Sequence, residues 1–110
     1  MTEISSDVIR GYNDTIILFL LRDKPSYGYE ISKMIKELSG EKYIIKETTL
    51  YSAFSRLEEN GYVESYSQTA DNGKKRTYYR ITMEGRSYYK EKCEEWTLTK
   101  EVIENFITEV

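Results

Sequence analysis

The feature that most restricts this chain is a change of period at Gly61. From Lys46 to Asn60, Leu50, Ala53, Phe54 and Leu57 recur at three- and four-residue spacing, one stripe of a helix, and Asn60-Gly61 supplies a stop. After Gly61, residues 62–67 alternate, residues 68–75 are polar around Asp71-Asn72-Gly73, and Arg76-Thr-Tyr-Tyr-Arg-Ile-Thr82 resumes the alternation. That pattern predicts a β-hairpin with a long loop, with Val63, Tyr79 and Ile81 inward and Tyr78 and Arg80 outward. A helix followed directly by a hairpin, within 110 residues, leaves room for one small domain.

The outer face of the central helix carries Thr49, Tyr51, Ser52, Ser55 and Arg56, hydroxyls and a guanidinium in place of the usual Lys and Glu mixture. Such groups suit base edges and phosphate oxygens, although a plain amphipathic core helix also accounts for them. The formal charge of −3 argues against indiscriminate nucleic-acid binding. The charge is uneven, however: residues 71–90 hold six Lys/Arg against two Asp/Glu, and residues 91–110 hold two against six. Lys74, Lys75 and Arg76 place three cations at the hairpin tip, suited to phosphates or a minor groove.

The N-terminal part is expected to be helical. One helix, capped by Ser5, Ser6 or Asp7, is expected to run to about Arg22, with Ile17, Leu18 and Leu21 making its second half apolar nearly all round. Pro25 breaks it, and Ser26 is a fair N-cap for a second helix over 27–39 with Ile31, Met34, Ile35 and Leu38 buried. Tyr27 and Tyr29 fall in its first turn, where free N–H groups can donate to a phosphate; packing against the first helix is their other reading. Residues 43–45 form a short extended bridge. The order helix, helix, helix, wing is that of the winged helix-turn-helix, so the expected class is mostly α with a small β-hairpin.

Enzymatic classes have little support. The chain has no histidine and one cysteine, Cys93, which leaves no His base, Cys-His pair, common zinc ligand set or internal disulfide. No metal or cofactor is expected. The longest apolar run, Ile16 to Leu21, is far shorter than the roughly 20 residues of a bilayer span, and cytoplasmic residence is expected.

Thr82 is placed to cap a last helix reaching Val110, with Glu84 near its positive end. Tyr89, Cys93, Trp96, Lys100, Ile103, Ile107 and Val110 recur at alternating four- and three-residue spacings, a coiled-coil seam that Val102 and Phe106 widen. Residues 1–82 are thus expected to form a winged helix-turn-helix and 83–110 a dimerisation helix whose partner is a second copy. Cys93 has a second reading, oxidation across the dimer axis.

Tyr27-Gly28-Tyr29-Glu30-Ile31, Thr49-Leu50-Tyr51, Arg56-Leu57-Glu58, Gly73-Lys74-Lys75-Arg76, Tyr78-Tyr79-Arg80-Ile81-Thr82 and Gly85-Arg86 together resemble the PadR family of transcriptional regulators over residues 8–90. The length, with one helix after the wing, is similar to the short-tailed subfamily that includes multidrug-sensing repressors. The resemblance implies a homodimeric repressor whose central helix enters the major groove of an inverted-repeat operator while the wing grips the backbone. The residues themselves offer Tyr27, Tyr29, Lys46, Thr48, Thr49, Tyr51, Ser52, Ser55, Arg56, Lys74, Lys75 and Arg76 as the DNA contacts. Ser52 stands where many members have proline and Thr48 where many have glycine. The first helix would pack on the partner's last helix. In the multidrug-sensing members, a tryptophan at the place of Trp96 stacks flat aromatic ligands against its symmetry mate; an ordinary dimer anchor is the other reading of Trp96. Val8, Tyr12, Thr15, Cys93 and Lys100 are the remaining pocket candidates. Paired Lys100 side chains predict a neutral or anionic planar aromatic guest. The competing class is a dimeric winged-helix interaction module without DNA binding, which the acidic total charge and Glu47, Glu58 and Glu59 favour.

Overall fold

A computed structural model describes residues 3–107. Its first element, α1 (Ser6–Ile9), is capped by the Ser5 hydroxyl, which accepts from the Val8 amide at 3.3 Å. The single first helix expected from the sequence is in fact two. The backbone turns at Gly11, where Tyr12 N–H bonds Ile9 O at 2.9 Å, and α2 (Asn13–Leu20) starts afresh. Glycine is a weak helix former, and Asn13 is drawn inward by a bond to Tyr43, so the break falls between them. Ile17, Leu18 and Leu21 are fully buried, as their all-round apolar context requires.

Ser26 is not the cap of the next helix. Residues Ser26–Tyr27 form a short strand, β1, and the buried Ser26 hydroxyl donates to Glu30 Oε1 at 2.5 Å. The helix α3 (Gly28–Leu38) follows with Tyr27 as an N-cap that makes no side-chain bond. Ile31 and Ile35 are buried and Met34 is half-buried, but Leu38 is 68% exposed, because the stripe leaves the core at the helix end. Ile45 enters the core from the bridge. The central helix, α4 (Glu47–Glu59), buries Leu50, Ala53, Phe54 and Leu57 as predicted.

The wing is longer and its loop shorter than the sequence suggests. Strands β2 (Val63–Thr69) and β3 (Lys75–Ile81) pair antiparallel from Val63↔Ile81 to Thr69↔Lys75, leaving 70–74 as the turn. The polar residues 68, 69 and 75 look like loop but pair through the backbone, which composition does not reveal. β1 adds to the free edge of β3 through Ser26↔Tyr79 and Tyr27↔Tyr78, giving the order β1-β3-β2. Tyr79 lies on the core face, stacked on Phe54 at 3.9 Å, so the sheet is fixed to α4.

Thr82 caps α5 (Met83–Glu104), accepting from Gly85 N at 3.0 Å while its own hydroxyl donates to Gly61 O at 2.6 Å. The helix ends at Glu104 with Asn105 as its C-cap, short of the expected end. Ile107 is therefore past the helix, and Val110 lies outside the described residues. α5 packs against α2, and its distal half carries Leu98, Val102 and Ile103 exposed, with Phe106 just beyond.

Candidate nucleic-acid interface and the groove behind it

The outward side of α4 presents Thr48, Tyr51, Ser52 and Ser55 to solvent, with Lys46 at its N-cap and Thr49 half-buried. The Tyr51 ring lies across the first residue of α3, and its hydroxyl occupies the space that a side chain at Gly28 would take. This close approach joins the starts of α3 and α4, and Tyr29, 72% exposed, stands beside it. Gly28, Tyr29, Ser32, Glu47 and Tyr51 line a shallow cleft of about 220 Å³ there.

Tyr27 is less available than its place at a helix start implies. Its ring packs at 5.2 Å on Tyr78, and the Arg76 guanidinium covers it at 4.4 Å. Tyr78 stacks in turn on Tyr66 at 5.8 Å, and Arg80 lies 5.1 Å over Tyr66. These three tyrosines are register neighbours on three strands, a relation invisible before the sheet forms. Lys74 and Lys75 remain exposed at the wing tip.

Arg56 is the main correction to the predicted interface. Its Nε and Nη2 donate to Asp14 Oδ2 and Oδ1 at 2.9 and 2.5 Å, so the guanidinium joins α4 to α2 and is not free on the outer face. The bond to Asp14 also raises its already high pKa. Asp14 itself has no distinguishing mark in the sequence.

Behind this interface, α1, α2, the end of α3 and α5 enclose an open-sided, largely apolar groove of about 1030 Å³. Val8, Tyr12, Thr15, Cys93 and Trp96 all line it, together with Phe19, Leu38, Tyr43 and Tyr89. Trp96, 47% exposed, meets Tyr12 edge-on at 5.4 Å and 86°. Burial and the neighbouring Cys93 push the Tyr89 pKa up. Lys100 is not among the lining residues. The charged ones are Asp7, Lys92 and Glu95, and each is paired, Asp7 with Arg10 at 3.1 Å and Lys92 with Glu95 at 2.6 Å. Within one protomer, then, Lys100 adds no charge to this groove.

Residues 17–91 match the profile of the transcriptional regulator PadR-like family. The chain belongs to this PadR-like family. A transcriptional regulator from Clostridium thermocellum has a structure similar to this one, with a TM-score of 0.88 and 65% identity over 96% of this chain and 99% of that one. A PadR family transcription regulator from Clostridium difficile R20291 is similar at TM-score 0.77 and 35% identity, covering 89% and 100%. A protein of Lysinibacillus sphaericus, described as uncharacterized, is 45% identical over 104 residues, 94% of this chain and 95% of its own length. The fold is thus the PadR winged helix, mostly helical with a small sheet, and transcription regulation is the family's role. Among the described residues, no helix is long and apolar enough to cross a membrane.

Proposed function

We propose that this PadR-like protein is a homodimeric repressor that binds an inverted-repeat operator and releases it when a planar aromatic molecule occupies the groove at Trp96. Family membership supports DNA binding, and the exposed hydroxyl face of α4 is the observation that carries it. Thr48, Tyr51, Ser52 and Ser55 would read bases, while Lys46, Tyr29, Lys74, Lys75 and Arg76 would hold phosphates. Thr49, half-buried, would contribute at the margin, and Tyr27 would act by carrying Arg76.

Dimerisation is supported by the apolar surface of α5. Trp96, Leu98, Val102 and Ile103 are exposed along it, with Phe106 and Ile107 beyond its end, and among the described residues nothing covers them. Tyr89 and Cys93 would border that interface from the α2 side. The groove's charges are internally paired, so the guest it suits is neutral, planar and aromatic. A guest with different affinity for the free and DNA-bound arrangements shifts DNA binding by that difference.

Titration of the single tryptophan's fluorescence with neutral planar aromatics, with and without promoter-proximal DNA, tests the reading together with light scattering for mass. Quenching of Trp96 that weakens DNA binding by a dimer is the expected result. A dimer that binds no DNA would return the chain to the interaction-module class.

A further inference from the structure

Asp14 stands where three helices meet. Its carboxylate takes both fork N–H groups of Arg56 on α4, and it lies within electrostatic reach of Lys92 on α5, which Glu95 holds. Its sequence neighbours are equally committed. Tyr12 touches Trp96, Asn13 accepts from the Tyr43 hydroxyl at 2.6 Å just ahead of α4, and Thr15 lines the groove. The first turn of α2 therefore has one side in the groove and three hydrogen bonds to α4 and the segment just ahead of it.

The pair is sheltered on one side only: the Asp14 side chain is 17% exposed and that of Arg56 47%. A guanidinium binds a carboxylate and a phosphate with the same two-pronged geometry, and N–H groups committed to one are withheld from the other. We propose that Asp14 is a positioning residue for DNA recognition, an internal stand-in for a phosphate that keeps Arg56 off the DNA backbone and uses it as a strut between α2 and α4. The proposal rests on the DNA-binding reading above. While the strut holds, α4 is oriented by the protein. When it opens, Arg56 becomes a phosphate ligand of no sequence preference, so specificity falls while non-specific affinity rises. A guest wedged between Tyr12 and Trp96 bears on this same turn.

The test is binding of the full-length protein to a random-sequence duplex of about 30 base pairs across a salt series. Asp14→Asn keeps the shape and the acceptor oxygen, so folding is retained, which circular dichroism verifies. Its plot of log K against log salt is expected to steepen by about 0.9 per bound protomer. Arg56→Gln alone should leave the wild-type slope unchanged, the double variant should lose the gain, and Asp14→Glu should restore the wild-type slope. Equal steepening in the single and double variants, the double having the wild-type net charge, would trace the effect to loss of the Asp14 carboxylate without any part for Arg56 and overturn the proposal. So would a shallower slope in Arg56→Gln alone, which marks Arg56 as an existing phosphate ligand. Salt-dependent binding by the wild type with one slope in every variant overturns only the role of Asp14, whereas a wild type without salt-dependent binding overturns the DNA reading and this role with it.

Discussion

The Tyr51 phenol lies so close over the Gly28 backbone that a Cβ at position 28 would sit 2.9 Å from its Cζ and closer still to its hydroxyl. The first turn of α3 and the exposed face of α4 are thereby fitted to each other through a missing side chain. Gly28→Ala should cost at most about 1 kcal/mol, because the obstructing atoms are the end of a half-exposed side chain that can swing out. DNA affinity should nevertheless fall, and Gly28→Ala should add nothing in a Tyr51→Ala background. Denaturant melts and DNA titrations of the four proteins would check this.

Gly85 is the opposite case. A Cβ there would run into the Tyr62 carbonyl, which is backbone, and sit 2.8 Å from Ile81 Cγ1. Gly85→Ala is expected to cost about 1–3 kcal/mol or more, read as a lower denaturant midpoint, since neither β2 nor α5 can yield without breaking the Thr82 cap.

Asn13 is 3% exposed and its Oδ1 accepts from Tyr43. Asn13→Leu should destabilise by about 1 kcal/mol by leaving the half-buried Tyr43 hydroxyl without its partner. Combining it with Tyr43→Phe should recover part of that loss, and a double-mutant cycle measures how much.

Burial raises the pKa of Tyr43 and Tyr79 above 10.0, with the charge of Glu58 adding to the shift at Tyr79, and burial also raises that of Tyr89. The folded state thus favours the neutral phenols. Their contribution is fully present below the ordinary phenol range and is lost as pH rises through the higher folded values. Stability should stay level with respect to these groups up to about pH 10 and fall beyond it. In Tyr43→Phe the fall should be smaller, as followed by phenolate absorbance and ellipticity together.

Removal of Lys74, Lys75 and Arg76 should flatten the salt dependence of DNA binding by about 0.9 for each phosphate the wing no longer neutralises. Lys74→Ala/Lys75→Ala should leave the fold unchanged. Arg76→Ala should also loosen the edge strand, because its guanidinium covers Tyr27. An unchanged slope in the triple variant would take the wing off the DNA-facing surface.

Periodicity alone was enough for the share of the core that α4 supplies. Leu50, Ala53, Phe54 and Leu57 declare one buried stripe, Thr82 declares its cap, and alternation around Val63 and Tyr79 declares the hairpin, because each signal is local to a few residues. Val8, Tyr12, Thr15, Cys93 and Trp96, grouped from their positions and the family resemblance, line one groove, whereas Lys100 of the same group does not. The tertiary structure decided the rest. Ser26–Tyr27 became a strand only because β3 offered a free edge, and helix one broke at Gly11 because Tyr43, thirty residues away, claimed Asn13. Arg56 was a surface cation on the helix wheel until Asp14, 42 residues earlier, met it. Spacing along a chain fixes which face a side chain occupies, whereas a partner distant in sequence is set only when the helices pack.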